Sequence, residues 1–393
     1  MSPARPASHR RALAWTAALS VPVLAGAAVL VPMAASGAVD LPDKTVEELL
    51  EFAAASDVDA LSGTVEQTSE LGLPDLGALM GSGDDGAPEE SGAASIDDFI
   101  ALATGTHTAN VFLDGDRARL QVLDQLAERN VYIDGDAREA WFVDSETQTA
   151  TRFTPPSEAE LEQLKAESGA KTDDAPTAEE GLPTPDQMLD DALARLDETT
   201  EVTVGTDARV AGRDVYELIL EPRTGDTLIG DIRFAIDGRN GTALAASVTA
   251  RGADQPAFEV AFTKVSFEAP DAAALAFTPG DDIAVVDEKL PLPNADEWGS
   301  GHAEDDAVDA ERPAVAGEGW SAVVELPATG DSGDVFAGLD AEQRQMLEGV
   351  TSEVDGGRVL QTSLVTVLIT DDGRVLAGAV PADRLVEVAQ AGR

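Results

Sequence analysis

The chain has 393 residues, enough for one large domain or two ordinary ones, and 43% of them are apolar. It carries 26 basic against 74 acidic residues, a formal net charge of −48, so it would repel a phosphate backbone and nucleic-acid binding is not expected. The chain contains no cysteine, which excludes disulfides, thiol catalysis and a lipid-modified N-terminal cysteine.

Residues 1–38 have the layout of a secretory signal peptide. Three arginines precede an apolar stretch that ends in small residues at 36–38. We predict export to the periplasm or another extracytoplasmic part of the cell envelope, with cleavage after Ala38. An uncleaved membrane anchor is the alternative, although Pro22 and Pro32 interrupt the apolar stretch.

The elements predicted after the signal begin with a helix at 44–56, where a Thr and a Glu stand at capping-box spacing. A strand follows at 61–73. Short strands with close turns run from Thr106 to Phe153. A short helix is predicted at 158–166, and a firmer one at 185–198 begins with proline.

Alternation of apolar and polar residues is clearest in the strands predicted after residue 200. Consecutive hairpin-linked strands with one apolar face predict a single curved antiparallel sheet. Residues 291–318 are interpreted as an acidic linker. Residues 319–393 contain further strands and helices near 341–347 and 382–389, and form either a small second module or an extension of the main sheet.

Asp-Gly-Asp occurs at 114–116 and again at 134–136, each time between apolar runs. An EF-hand loop needs acids at positions 1, 3 and 5 and a glutamate at position 12. Counted from Asp134, the fifth residue is Arg138 and the twelfth is Ser145. Because Asp-Gly between alternating runs is a strong hairpin signal, in which glycine accepts positive φ, we interpret both phrases as turns and not as calcium sites.

Catalytic and metal-binding motifs are missing from the sequence. Outside the signal, the histidines His107 and His302 have no metal-ligand spacing, so we predict no metal and no cofactor. We interpret His107 as a partly exposed strand residue. No G-x-S-x-G, Walker or S-x-x-K motif occurs, so no catalytic residue is assigned and the protein is predicted not to be an enzyme.

Two blocks of the sequence resemble the LolA-like lipoprotein-carrier superfamily. NVYIDGDAREAWFVDSETQTATRF (130–153) is similar to the hairpin of that family, with its aromatic strand at Trp141 and Phe142. RDVYELILEPRTGD (213–226) and the strands that follow it, through AFTPG (276–280), are similar to the later strands of the family. The order of the blocks agrees over residues 43–290.

The resemblance implies an α+β, mainly β fold: an unclosed antiparallel half-barrel over residues 39–290, covered by helices that act as a lid. Residues 319–393 would add a small C-terminal α/β extension. The apolar concave face would hold acyl chains of lipids or lipoproteins. The arginine that latches the lid in known carriers follows a basic-Pro phrase, which is missing from LDGDRARL (113–120), so that role is not assigned to Arg117 or Arg119.

Alternation within the strands gives the candidate lining of this cavity. The predicted ligand-binding residues are Leu120, Val122, Trp141, Val143, Tyr216, Leu218, Leu220, Ile232, Phe234, Ile236, Phe258, Val260 and Phe262. For each of them, packing in an ordinary core is the alternative interpretation, because aliphatic side chains serve both purposes.

The function predicted from the sequence is an exported carrier or binding protein for acyl chains of a lipid or lipoprotein. The main alternative is an envelope-stress regulator of the RseB or MucB type, since these relatives join a LolA-like domain to a smaller C-terminal one that binds an anti-sigma factor. In that case residues 319–393 would contact a membrane protein. An enzyme acting on envelope polymers is a third alternative, which no motif supports.

Overall fold

The computed structural model describes residues 39, 41–72, 104–123, 128–145, 147–154, 184–289, 314–326 and 349–391. The helices in these ranges are α1 (Val46–Ala54), α2 (Pro185–Ala194) and α3 (Ala382–Ala391). The first sheet contains β1 (Ala60–Glu70), β2 (Thr104–Asp114), β3 (Arg117–Leu123), β4 (Glu128–Asp134), β5 (Glu139–Asp144), β6 (Thr149–Thr154), β7 (Thr200–Val204), β8 (Ala208–Val210), β9 (Arg213–Pro222), β10 (Ile229–Asp237), β11 (Ala243–Ala250), β12 (Pro256–Ser266) and β13 (Ala284–Lys289). The second contains β14 (Ala314–Ala316), β15 (Val323–Leu326), β16 (Ser352–Val354), β17 (Gly357–Gln361), β18 (Thr366–Thr370) and β19 (Val375–Gly378).

The first sheet has 13 strands in the order β13-β6-β5-β4-β3-β2-β1-β12-β11-β10-β9-β7, with β8 also paired to β9. Within the described ranges β13 and β7 stand at its two ends, so the sheet is not closed. This confirms the prediction of a mainly β protein built on a large unclosed sheet. The sheet is not wholly antiparallel, because the chain runs from β12, in the interior of the sheet, to the far side of β6, where β13 pairs with β6 in parallel.

Both Asp-Gly-Asp phrases form turns between antiparallel strands, as predicted. In the β2–β3 turn Gly115 takes a φ of 61°. In the β4–β5 turn the positive φ of 54° belongs to Arg138 and not to Gly135, so the expected role of glycine is wrong at this turn. The Asp134 carboxylate accepts a hydrogen bond of 2.8 Å from the Ala137 amide and thereby stabilises the wider loop.

Both helices near the first sheet begin with the capping box that the sequence suggests for α1. The Thr45 hydroxyl accepts from the Glu48 amide at 3.2 Å, while the Glu48 carboxylate accepts from the Thr45 amide at 2.9 Å. Thr184 and Gln187 form the same pair of bonds at the start of α2. The helices predicted at 158–166 and 341–347 lie outside the described residues.

One face of the first sheet packs against α1 and α2 to form the main apolar core. Leu49 of α1 and Leu189 of α2 are fully buried in it. The Asp186 carboxylate at the start of α2 accepts from the Ala243 amide at 3.0 Å. After α1, the hydroxyl oxygens of Ser56 and Thr242 lie 3.0 Å apart. Hydrogen bonds therefore connect α2 and the end of α1 to the same region, at the start of β11.

The second sheet has the strand order β14-β15-β19-β18-β17-β16, and α3 packs on one of its faces. Its core is separate from the main core and includes Val323, Leu368, Leu376 and Leu385. The sheet begins at Ala314, within the segment that the sequence analysis assigned to the linker. The rest of that segment and the predicted signal at 1–38 lie outside the described residues.

The two sheets contact each other through a small apolar cluster, in which Leu364 of the second module packs with Ile229 and Ala257 of the first sheet. Hydrogen bonds accompany it: the Leu228 amide donates to the Ala379 carbonyl at 2.8 Å, and the Trp320 indole donates to the Thr200 hydroxyl at 2.9 Å. None of the described helices has the length and apolar character that a membrane crossing requires.

Candidate ligand-binding face

The pairing register shows which side chains share a face of the first sheet, because directly paired residues point to the same side. One row of paired residues runs through Phe142, Val131, Leu120, Val111 and Gly63. A second row runs through His107, Gln67, Val260, Ala246, Phe234, Leu218 and Val204. We call the face that carries these rows and packs against α1 and α2 the inner face, and its opposite the outer face.

Eleven of the thirteen residues predicted to line a cavity lie on the inner face. They are Leu120, Val122, Tyr216, Leu218, Leu220, Ile232, Phe234, Ile236, Phe258, Val260 and Phe262. Most are buried, and Leu120, Ile232 and Phe258 are half-buried. The strands after residue 200 therefore bring their apolar positions together as the alternation predicts.

Trp141 and Val143 lie on the outer face, apart from the other eleven residues of the predicted lining. Trp141 pairs with Tyr132 and Val143 with Asn130, whereas the neighbouring Phe142 points inward. Since Trp141, Phe142 and Val143 are three consecutive apolar residues, a period of two does not indicate which of them faces the core. Pairing with β4 determines which of the three side chains points to the inner face.

Trp141 packs against a segment of the chain that crosses the outer face after β12. The ring of Phe277 stacks on Tyr132 at 5.2 Å between centroids and meets Trp141 edge-on at 5.3 Å. The guanidinium of Arg119 lies 5.0 Å above the Tyr132 ring, and that of Arg152 lies 5.5 Å above Trp141. Burial raises the pKa of the Tyr132 hydroxyl, although Arg119 opposes this effect.

Beside this aromatic group, the outer face carries a ladder of polar side chains across four strands. Thr64 donates to Asn110 at 2.9 Å, Asn110 to Gln121 at 3.0 Å, and Gln121 to Glu128 at 2.8 Å. These side chains act as hydrogen-bond donors and acceptors for one another. An acyl chain would gain nothing by covering them, so the outer face is unsuited to an apolar ligand.

A small cavity lies on the inner face where β1, β2, β3 and β12 meet the start of α2. Its volume is about 20 Å³, and its lining consists of Val65, Gln67, His107, Ala109, Val111, Leu120, Thr184 and Val260. His107 is only 2% exposed and Gln67 3%, so the interpretation of His107 as a partly exposed residue is wrong. The two side chains are neighbours, since Gln67 pairs with His107 in the register of β1 and β2.

The sequence analysis missed the contribution of β1 and β2 to this face. Val65 and Gln67 alternate with polar residues along β1, and His107 begins the alternation that continues through Ala109 and Val111 in β2. That spacing was available as a signal. The pattern does not stand out in the sequence, because Gln67 in β1 and His107 in β2 are polar residues at positions that would otherwise be apolar.

The inner face is closed by contacts that tie the start of the described chain to β9. Tyr216 donates from its hydroxyl to the Pro42 carbonyl at 2.9 Å, and its ring meets Phe52 of α1 edge-on at 6.4 Å. The ammonium of Lys44 lies 4.7 Å from the Phe52 ring centroid. Gly63 allows the Phe262 ring to lie directly over β1, because a Cβ there would approach the Cδ1 atom of that ring to 2.7 Å.

Comparison with known proteins finds no matching family model and no match among curated protein sequences. Solved structures do match. The MucA/MucB complex of Pseudomonas aeruginosa aligns at 16% identity and a TM-score of 0.40, over 88% of this chain and 96% of the other. A LolA superfamily protein of Nitrosomonas europaea aligns at 10% identity and a TM-score of 0.21, over 60% and 99%.

A lipoprotein-sorting protein domain of Vibrio parahaemolyticus also matches, at 10% identity and a TM-score of 0.22, over 56% of this chain and 91% of that one. These proteins come from the groups that the sequence resembles.

Proposed function

We propose that the protein is an exported binding protein, and not an enzyme, that holds acyl chains of a lipid or lipoprotein on the inner face of its first sheet. The observation that carries this proposal is the cover of that face. In the part of the chain that the structure describes, two short helices, α1 and α2, pack against a broad apolar surface that spans strands β1–β3 and β9–β12. The resemblance to LolA-like proteins, in which such helices act as a lid, supports the same interpretation.

The energetics favour an acyl ligand on this face. Moving an acyl chain from water to an apolar site gains about 0.8 kcal/mol for each buried CH₂ group. The cavity of about 20 Å³ has room for roughly one water molecule, so an acyl chain enters only if a helix moves away. Leu49 and Leu189, which the helices bury now, would then give up their places to the ligand.

The chain offers a direct test of this lid movement because it contains no cysteine. Ser56 follows α1 and Thr242 precedes β11, and their hydroxyl oxygens are 3.0 Å apart, so we choose these two neighbouring positions for a pair of cysteines. In the oxidised S56C/T242C variant we expect the affinity for a fluorescent fatty-acyl probe to fall by about tenfold or more, because the bond removes open conformations from the ensemble.

Reduction of the same sample should restore probe binding, which separates locking from misfolding. The S56C single variant, treated with the same oxidant, is the matched control. Equal affinity in the oxidised and reduced double variant would show that α1 does not act as a lid. Absence of probe binding by the wild-type protein, together with no co-purified lipid in native mass spectrometry, would refute acyl binding itself.

A second candidate function is that of a regulator that binds a membrane protein through its C-terminal module, which was predicted at residues 319–393 and whose sheet begins at Ala314. The second sheet exposes two valines side by side near its edge: Val315 is 63% and Val324 40% exposed, and the two are paired in register. Exposed apolar pairs of this kind are typical of protein contacts. In whole cells, a photo-crosslinker at position 324 should then form an adduct with one membrane protein, and V315D should abolish it. If no adduct forms, the regulator function is contradicted and the carrier function is the one that remains.

A further inference from the structure

On the inner face, two buried polar side chains that are neighbours in the register, Gln67 and His107, are not explained by the acyl-binding function. Gln67 and His107 lie in the same register row as Val260, Phe234 and Leu218, which form the centre of the apolar core. Burying an amide and an imidazole here is less favourable than burying two aliphatic side chains. Their position is therefore informative, because apolar ligand sites commonly use a few polar groups to orient the ligand.

The cavity places this pair where a ligand would enter. Gln67 and His107 line it together with the N-cap residue of α2, Thr184, and the other residues of the lining are aliphatic. An acyl chain lying along the row over Val260 and Phe234 would have its apolar length on the strands β9–β12. Its polar end would then lie at Gln67 and His107.

We infer that Gln67 and His107 form a recognition site for the carbonyl group of an acyl ester, so that the ligand is an esterified acyl chain and not a free fatty acid or a hydrocarbon. This inference rests on the proposed function. The Gln67 amide and a ring N–H of His107 are donors that suit a neutral carbonyl oxygen. An ionised carboxylate buried here is costly without a permanent cation beside it, and none of the described residues that line the cavity is Lys or Arg.

The expected preference is moderate. Both side chains already take part in interactions within the protein, so a ligand carbonyl exchanges one polar contact for another. Net hydrogen-bond contributions of this kind correspond to about threefold to tenfold in affinity.

The test compares 1-monopalmitoylglycerol with its ether analogue 1-O-hexadecylglycerol, which has the same chain and headgroup but no carbonyl. The wild-type protein should bind the ester about threefold to tenfold more tightly than the ether, and more tightly than palmitate. The Q67M variant, which keeps the length of the side chain, should reduce the ester-to-ether ratio to about one, and H107F should do the same.

The matched control is Q121M, the same substitution on the outer face, which should leave the ratio unchanged. Equal binding of ester and ether by the wild-type protein, or tighter binding of palmitate, would overturn this inference while the acyl-binding function stood. If the wild-type protein binds none of the three lipids, the proposed function itself fails.

The same comparison, made with diacylglycerol and with a diacylglyceryl-cysteine peptide, distinguishes a free glyceride from a lipoprotein as the source of the ester. A preference for the ester over the ether analogue in either pair supports the inference. Its absence from both contradicts it. If Q67M fails to fold, H107F provides the second, independent reading of the ratio.

Discussion

The two faces of the first sheet are built from alternate residues of the same strands, yet they differ in chemistry. On the inner face, Phe234, Leu218 and Val260 are almost completely buried beneath two helices. On the outer face, polar side chains satisfy one another, and the aromatic rings of Tyr132 and Trp141 pack on the crossing segment that follows β12. Apolar character alone therefore does not mark the ligand side.

The difference shows that the role of each face depends on the segment of the chain that packs against it. The aromatic group on the outer face is held by stacked rings and guanidinium groups within the chain, so it serves to fix the crossing segment. The inner face is covered by short helices that contact the sheet mainly through apolar side chains. In the proposed function these helices move away as a lid, and the contacts of an acyl chain replace the apolar contacts that they lose.

The largest expected effect comes from truncating an aromatic ring on each face. Phe234→Ala should lower the free energy of unfolding by about 3–5 kcal/mol, because the side chain is fully buried and leaves a cavity. Phe277→Ala is the matched outer-face variant and should lower it by about 1–2 kcal/mol, since that ring is half-buried. Chemical denaturation measures both. Equal losses would show that the inner face is not the dominant core.

A medium effect should separate Trp141 from its neighbour Phe142, since the two point to opposite faces of β5. Phe142→Ala should weaken binding of the acyl probe severalfold, whereas Trp141→Ala should change it by less than about twofold. Fluorescence titration of both variants gives the result. Weaker binding in Trp141→Ala alone would return the tryptophan to the ligand site, as the sequence analysis had it.

The smallest effect concerns Glu259, an outer-face residue of β12 that is paired in register with Thr68 and Ser247. Burial raises the pKa of its carboxyl group, and the nearby Glu66 raises it further. The folded protein therefore holds this proton more tightly than the unfolded chain does. The free energy of unfolding falls as pH rises from the unfolded pKa, about 4.3, through the higher folded value.

Glu259→Gln removes this part of the pH dependence and should stabilise the protein at pH 7 by less than about 1 kcal/mol, because solvent screens the partly exposed group. Urea denaturation between about pH 4 and pH 7 measures the change in slope. Glu66→Gln is the control and should produce a smaller change of the same sign. A slope identical to that of the wild-type protein would contradict the assignment.

Several features of the fold follow from local sequence and could be predicted. The capping boxes of α1 and α2, the hairpin turns after Asp114 and Asp134, and the alternating strands β9, β10 and β12 each depend on residues close together in the chain. The parallel pairing of β13 with β6 could not be predicted, because it joins residues 284–289 to 149–154 across the whole sheet. The start of the second sheet at Ala314 is a three-residue strand paired with the nearby β15, and three residues are too few to show alternation.

The sequence by itself determined the mainly β class, the apolar face of strands β9–β12 and the likeness to LolA-like proteins, because side-chain alternation and turn residues act over short distances. Only the tertiary structure decided which face Trp141 occupies and that His107 is buried beside Gln67. Both outcomes depend on the register with neighbouring strands and on what covers the sheet. The alternation of side chains along a single strand specifies neither the register nor the cover.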